Sequence, residues 1–458
     1  MNKANRTLMT RRQNRINILS MRLRIFALIA AIAVFQTPAP ARQEQGAPQS
    51  SSVGKPRILV STDIGGTDPD DNQSMTHLLM YSDMFDIEGI VSSPSYGDGS
   101  KEEILRMIDL YESDYEQLRR HNDSLAHPDD LRAVCKQGRR GRAPLRGYDE
   151  PTEGSEWIVE CARRPDSRPL WVLVWGTLDD VAQALHDAPD IKKNIRVNWI
   201  GGPNKKWGVN AYAYIAAEHP DLWIIENNAT YRGIITDSDE TGVMDAGYYD
   251  YAVRGAGSLG ADFANYYGGT VKMGDTPALL YMMDGNPDNP EKDCWGGRFV
   301  RFSRSTRYVY DRQLAECDTV AAYSIVEIWM DGPEQALPAG TPCLTLTADK
   351  QDWEGYYMGG RRYMARYSPK APATLHYTIT SDIDGVCGEG TFTVVTGWPG
   401  EPQDSDYLLG DNWFTDCPDD SLYMGKWQGA VTQLRWRNDI LAHWAARWQW
   451  LKGDNAAR

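Results

Sequence analysis

Cysteine is scarce in this chain, with seven residues in 458 at positions 135, 161, 294, 317, 343, 387 and 417 and no CxxC pair. That spacing excludes a disulfide-dense scaffold and a thiolate zinc site. An oxidising compartment would still allow one or two bridges, and the odd count leaves at least one thiol unpaired. Positive charge is also short. Sixty-three acidic residues against 48 basic ones give a formal net charge of −15, which argues against a nucleic-acid backbone or an anionic membrane surface as partner. A cation or a neutral substrate suits this balance better. Long apolar runs are missing as well: IFALIAAIAVF, Ile25 to Phe35, is too short to anchor the chain across a bilayer. It follows the basic MRLR at Met21 and precedes the small-x-small pattern Ala39-Pro40-Ala41, the layout of an export signal. The expectation is a signal region over 1–41, a polar disordered leader over 42–55, and a mature chain in the periplasm or outside the cell.

What is present is an ordinary globular composition, 41% hydrophobic and 24% charged. Over residues 56–302 apolar runs of strand length (RILVST, DIEGIVSS, PLWVLVWG, NIRVNWIGG, DLWIIEN) alternate with segments of helical period. Strands so continuously apolar require a parallel sheet covered by helices on both faces, an α/β architecture. From 303 to 427 the texture changes to short alternating segments such as CLTLTA and TLHYTITS between glycine, proline and aspartate clusters, the pattern of an antiparallel, β-sandwich-like module. Residues 428–458 return to helical spacing, with Leu434, Leu441, Trp444 and Trp448 near one stripe. They are expected to pack on the α/β domain.

The stretch VSTDIGGTDPDDNQSM gathers Asp63, Asp68, Asp70 and Asp71 where the first strand ends. An Asp-Asp pair opening a helix is explained about as well by capping as by function. Asp63 is not, because it stands on the strand side of a glycine pair that lets the loop fold back. Carboxylates so crowded repel one another unless a cation sits among them, and an all-oxygen site suits calcium. In an open α/β sheet this end of the strands is also where ligands bind.

STDIGGTDPDDNQSM resembles the opening motif of the nucleoside hydrolase superfamily, and WGTLDDVAQAL, GVNAYAYIAAEHP and KMGDTPALLYMM follow in the order that family uses. With YSDMFDIEGIVSS, WGGRF and RWRNDILAHWAARWQW, the chain is similar over nearly all of 56–452 to the nucleoside-hydrolase-like branch often described as cellulose-binding. The resemblance implies Asp63 as water-activating base and metal ligand, Asp70 as binder of sugar hydroxyls, and Asp71, Asp275 and the backbone carbonyl of Asp179 as further calcium ligands. Asn210 would hold sugar hydroxyls, with Asn204, Tyr212 and Trp207 lining the pocket. Trp175 and Trp295 fall near the same loops. Relatives of this kind often form homo-oligomers, although an inserted module could block those interfaces.

The departures concern the substrate. Where the family pattern has an outer Asp this chain has Ser61, and the loop to Asp70 is longer, so Asp68 competes for a role. Gly274 stands where a histidine would protonate the leaving group, and Gly208 replaces a sugar-binding Glu. Of the histidines, 77, 121, 127, 186, 219 and 443 are scattered and read as structural. The resulting expectation is a secreted, calcium-dependent hydrolase of an N-glycosyl or related sugar bond, with Asp63-activated water attacking the anomeric carbon of a small sugar or glycan-derived substrate. Its counterpart is a catalytically silent carbohydrate binder on the same scaffold.

Overall fold

The computed structural model describes residues 54–235 and 247–453; the expected signal region and most of the leader lie outside them. Among the described residues no helix is long and apolar enough to cross a membrane. Six parallel strands form the heart of the chain: β1 (Arg57–Thr62), β2 (Asp86–Ser92), β3 (Cys135–Gln137), β4 (Leu170–Val174), β5 (Ile195–Ile200) and β6 (Ile224–Asn227). They are ordered β3-β2-β1-β4-β5-β6. Every residue of β1 and β4 is buried, and the pleat sends Leu59 into one core while Ile58 and Val60 enter the other. Helices cover both faces, as such strands demand. The order reverses between β1 and β4, so the loops that leave those two strands diverge and open a crevice at their carboxyl ends.

Two more strands complete this sheet. Trp413–Asp416 runs parallel to β6, and Phe299–Arg301 pairs with it antiparallel at the edge. Residues 413–416 therefore belong to the α/β sheet, although the sequence boundary at 427 puts them in the β module. Their four side chains are all buried, and a segment that short carries too little alternation to reveal which sheet it joins. The module itself is a separate, near-barrel sheet of eight strands between Arg307 and Val395. Its central pairings are antiparallel, with parallel pairs at the two ends.

The module shares a hydrophobic core with the helices on one face of the main sheet. On the other face, the closing helix Arg437–Trp448 buries Trp444 and Trp448 completely, with Trp444 edge-on to Phe263 and to His77. No cysteine is bridged, so the one or two disulfides that an oxidising compartment would allow are not formed. Cys135, Cys161, Cys294 and Cys417 are buried apart as single thiols.

Candidate metal centre

The loop after β1 is shaped by short-range bonds. The Thr62 hydroxyl donates to the Asp71 carboxylate and accepts from the Ile64 amide at 3.1 Å, and the Gly66 amide closes a turn on the Asp63 carbonyl at 3.0 Å. Gly65 has φ +87°, and a Cβ there would lie 2.8 Å from that of Ser100, so this reversal requires glycine. The helix Asp70–Met80 then begins with Asp70 and Asp71 in its first turn, yet no side chain caps it. The capping explanation for the pair therefore fails. Asp275, at the start of the helix Thr276–Met283, also makes no capping bond.

Asp70, Asp71 and Asp275 converge, with one oxygen from each inside a group no more than 4.8 Å across. Asp71 is 2% and Asp275 4% exposed, and the Asp275 Oδ2 atom has no hydrogen-bond partner. Burial, reinforced by the neighbouring carboxylates, holds Asp71 and Asp275 well above the usual carboxylate range. Burial and the Asp68 charge push Asp70 up to about 8 despite Lys272. Three ionised carboxylates at this spacing are tolerable only around a positive charge. The donor set is all oxygen and one buried oxygen is orphaned, so the residues present fit a hard divalent cation.

Asp63 stands beside this triad rather than in it. Burial lifts its carboxyl to about 6, against hydrogen bonds that it accepts from Ser95 and from the Asp71 carboxyl. Its wall of the crevice is completed by the loop after β4, where a Cβ on Gly176 would lie 3.0 Å from that of Asp63. Asp179, whose expected contribution is a backbone carbonyl, does not bring its carboxylate to the triad. It opens the helix Asp179–Asp187, and its carboxylate accepts the Ala143 amide at 2.5 Å.

The expected sugar-binding residues are only partly available. Asn210 donates to Tyr356 Oη at 2.9 Å and to the Ala143 carbonyl at 3.2 Å, and accepts from Arg366 at 3.1 Å. Both ends of its amide are thus spent on the β module and its neighbouring loop. Asn204 donates to the carbonyls of Trp175 and Ile200. Trp207 is 8% exposed and lies flat on Trp353 of the module, 5.2 Å between centroids at 9°. Tyr212 and Trp175 are fully buried and so cannot line a pocket. Trp295 packs on His443 of the closing helix, and His443 in turn bonds Tyr81 at 2.6 Å.

Two lips flank the triad. On one, Lys272 pairs with Asp68 at 2.5 Å and reaches to 4.0 Å from Asp70, while Tyr267 donates to Asp68. Burial raises Asp68, but Lys272 outweighs it and holds the carboxyl below its usual value. On the other lip Ser95 leads into Tyr96, whose ring rests on Trp207. Sequence reasoning passed over Lys272, Tyr267, Ser95 and Tyr96. Only Lys272 had a signal, its place three residues before Asp275. Gly274 fits tightly: a Cβ there would come within 2.3 Å of Asp70 Oδ2, so a histidine at 274 could not stand beside this arrangement of Asp70.

The family model described as "Cellulose-binding Sde182, nucleoside hydrolase-like domain" matches residues 57–299, more than half of the chain. No curated protein matches it. Among solved structures, a nucleoside hydrolase-related protein from Saccharophagus degradans, associated with carbohydrate metabolism, is 17% identical with a TM-score of 0.47, over 75% of this chain and 100% of that one. A purine-preferring ribonucleoside hydrolase from Gardnerella vaginalis is 15% identical with a TM-score of 0.38, over 55% of this chain and 84% of that one. An inosine-uridine preferring nucleoside hydrolase from Bacillus anthracis gives 14% and 0.36, over 55% and 86%. By the family match, with the aspartates of its opening motif folded into one buried group, the chain belongs to the cellulose-binding Sde182 family with its nucleoside hydrolase-like domain.

Proposed function

We propose that this chain is an exported, calcium-dependent hydrolase of a glycosyl bond, N-glycosyl or a related sugar linkage, acting on a small sugar or glycan-derived substrate. The observation that carries this reading is the convergence of Asp70, Asp71 and Asp275 at the reversal point of the sheet, with Asp71 and Asp275 buried and one oxygen of Asp275 unpartnered. Calcium bound there would supply a Lewis acid that acidifies a water and fixes vicinal hydroxyls.

The chain's own residues divide the remaining work. Asp63, with a carboxyl at about 6 and a hydrogen bond from Ser95, has the strength and position to take a proton from a water in the crevice. Asp70, at the exposed side of the triad, accepts a sugar hydroxyl. The negative charge of the cluster favours an oxocarbenium-like transition state at the anomeric carbon. Lys272 and Tyr267 close the lip above Asp70 and restrict what leaves past them.

A second reading, a carbohydrate binder without turnover, is favoured by two observations. Asn210 is spent on Tyr356 and Arg366, and Gly274 leaves no room for a leaving-group acid. Calorimetric titration of calcium into the mature chain and into Asp71→Ala, followed by hydrolysis assays on nucleosides and a glycan panel, separates the two. Calcium binding lost in Asp71→Ala together with calcium-dependent turnover supports the hydrolase. Calcium-dependent sugar binding without turnover selects the binder, and a parent protein that takes up no calcium overturns both.

A further inference from the structure

Beyond the bond from Ser95 to Asp63, the lip on the β-module side has no role in the reading above, yet it is built from the same loops. Ser95 bonds Asp63, and the Thr177 amide donates to the Pro94 carbonyl at 3.2 Å, which fixes the chain just before Tyr96 against the loop after β4. Tyr96 is 48% exposed, a large aromatic left open to solvent. It is nevertheless not loose, because its ring sits 4.8 Å from that of Trp207 at 49°, and Trp207 is itself stacked on Trp353. The result is an open aromatic face with two tryptophans behind it, starting one residue from a contact of Asp63.

Arg142 stands at the same place, with its guanidinium carbon 5.7 Å from the Trp207 ring. The segment 136–146 carries Lys136, Arg139, Arg140, Arg142 and Arg146 and no acidic residue, in a chain of net charge −15. Arg139, Arg140 and Arg146 each find a carboxylate, on Asp149, Glu102 and Asp149. Arg142 donates instead to a backbone carbonyl, that of Asp352, at 3.2 Å, and no carboxylate of the described residues lies within ion-pair distance. The backbone on either side of it is pinned, with the Gly141 amide on Asp98 at 2.8 Å and the Ala143 amide on Asp179. A guanidinium held this way keeps donors over from its one bond to the chain, which suits bidentate recognition of a planar anion.

We infer that Tyr96, Trp207 and Arg142 form a second subsite that takes a carboxylated sugar, a uronic acid unit, with its C–H face on Tyr96 and its carboxylate on Arg142. This deepens the proposed function and rests on it in one respect: the uronate is the unit next to the sugar held at the aspartates. The enzyme or binder is then one for acidic glycan fragments, and the positive loop in an otherwise acidic chain is what admits them.

The test is binding of uronate-containing disaccharides and of their neutral counterparts, with a sulfated disaccharide as a third ligand, to the full mature chain and to Arg142→Gln and Tyr96→Ala. Each titration is run once with calcium and once with EDTA. Thermal unfolding checks that both variants fold, as partly exposed side chains should allow. The parent is expected to prefer the uronate over its neutral counterpart by about tenfold, the worth of one charge-assisted pair. Arg142→Gln should erase that preference and Tyr96→Ala should weaken both ligands, in EDTA as in calcium. A parent with no preference for the uronate overturns the inference, as does a preference that survives Arg142→Gln or a stronger preference for the sulfated ligand. A preference that disappears in EDTA but not in Arg142→Gln places the carboxylate on calcium and overturns it too. Because the EDTA arm needs no metal, failure of the calcium site and failure of this subsite give different results.

Discussion

Two groups of buried carboxylates in this protein sit in opposite surroundings. In the β module Glu327 is wholly buried and lies 2.7 Å from Arg307 and 2.8 Å from Arg366; in the α/β domain Glu226, equally buried, lies 2.6 Å from Lys205, whose ammonium also sits over the rings of Tyr212 and Trp398. At the crevice Asp70, Asp71 and Asp275 are packed together, and Lys272, 4.0 Å from Asp70, is committed to Asp68. Burying charge is costly unless it is paired. The two glutamates are paired within the polypeptide, and Glu327 accordingly stays below its usual range, its burial outweighed by Arg366 and Arg307. The triad has only the long Lys272 contact at Asp70 among the described residues, and its carboxyls are driven upward. The difference separates acids that hold the fold together from acids that wait for something outside it.

The sharpest way to break that comparison is to neutralise one acid of each kind in metal-free protein. Glu327→Gln leaves two partly buried guanidiniums short of their counter-charge and should cost about 3 kcal/mol. Asp71→Asn removes mutual repulsion while keeping an acceptor for Thr62, and should stabilise by on the order of 1 kcal/mol. Denaturant unfolding in EDTA measures both, and effects of the same sign would dissolve the distinction. Calcium should then reverse the order at the triad. At a hundredfold excess over its dissociation constant it should add about 2.7 kcal/mol to the parent and nothing to Asp71→Asn or Asp275→Asn. A thermal shift that either variant retains would place the ion elsewhere.

A smaller effect is expected with pH. In unfolded chains aspartate titrates near 3.9, whereas Asp63 and Asp70 in the folded, metal-free protein titrate at about 6 and about 8. Both folded values are raised, so their stabilising contribution is complete below about pH 4 and is lost as pH climbs through 6 and 8. Metal-free protein should therefore weaken across that window. With calcium bound the ionised forms are favoured and the loss should disappear, and calcium uptake near pH 7 should release protons, seen as a calorimetric heat that changes with the buffer's ionisation enthalpy. Metal-free stability that rises from pH 5 to 8 would mean that the aspartates are ionised without help.

Much of this arrangement is legible in the sequence for a physical reason. Strand period, helical period and local charge density are properties of neighbouring residues, so β1, the crowding of Asp63, Asp70 and Asp71, and the two-part architecture can be read from short stretches. What fails is anything decided across long separations. The amide of Asn210 looks free in GVNAYAYIAAEHP, but Tyr356 and Arg366, more than a hundred positions away, occupy it. Trp413–Asp416 lies inside the β-rich texture yet pairs with β6. Tyr96 and Arg142 carry no motif, and only the fold brings both against Trp207.

Gly274 offers the smallest perturbation and tests how finely the unpaired triad is set. An alanine there puts its Cβ within 2.3 Å of the Asp70 Oδ2 atom, but the far end of a side chain that is 15% exposed can swing aside. Gly274→Ala should therefore cost less than about 1 kcal/mol of stability while it turns one of three carboxylates off the shared centre. Calcium affinity should fall by a few-fold to about tenfold, with the uronate preference of the neighbouring lip unchanged. Loss of stability without loss of calcium would show that Asp70 belongs with the fold-holding acids, and the triad would reduce to a pair. Loss of calcium with stability intact would explain in steric terms why a histidine cannot follow Met273 here, and any acid needed by a leaving group must then reach it from the Lys272 and Tyr267 lip.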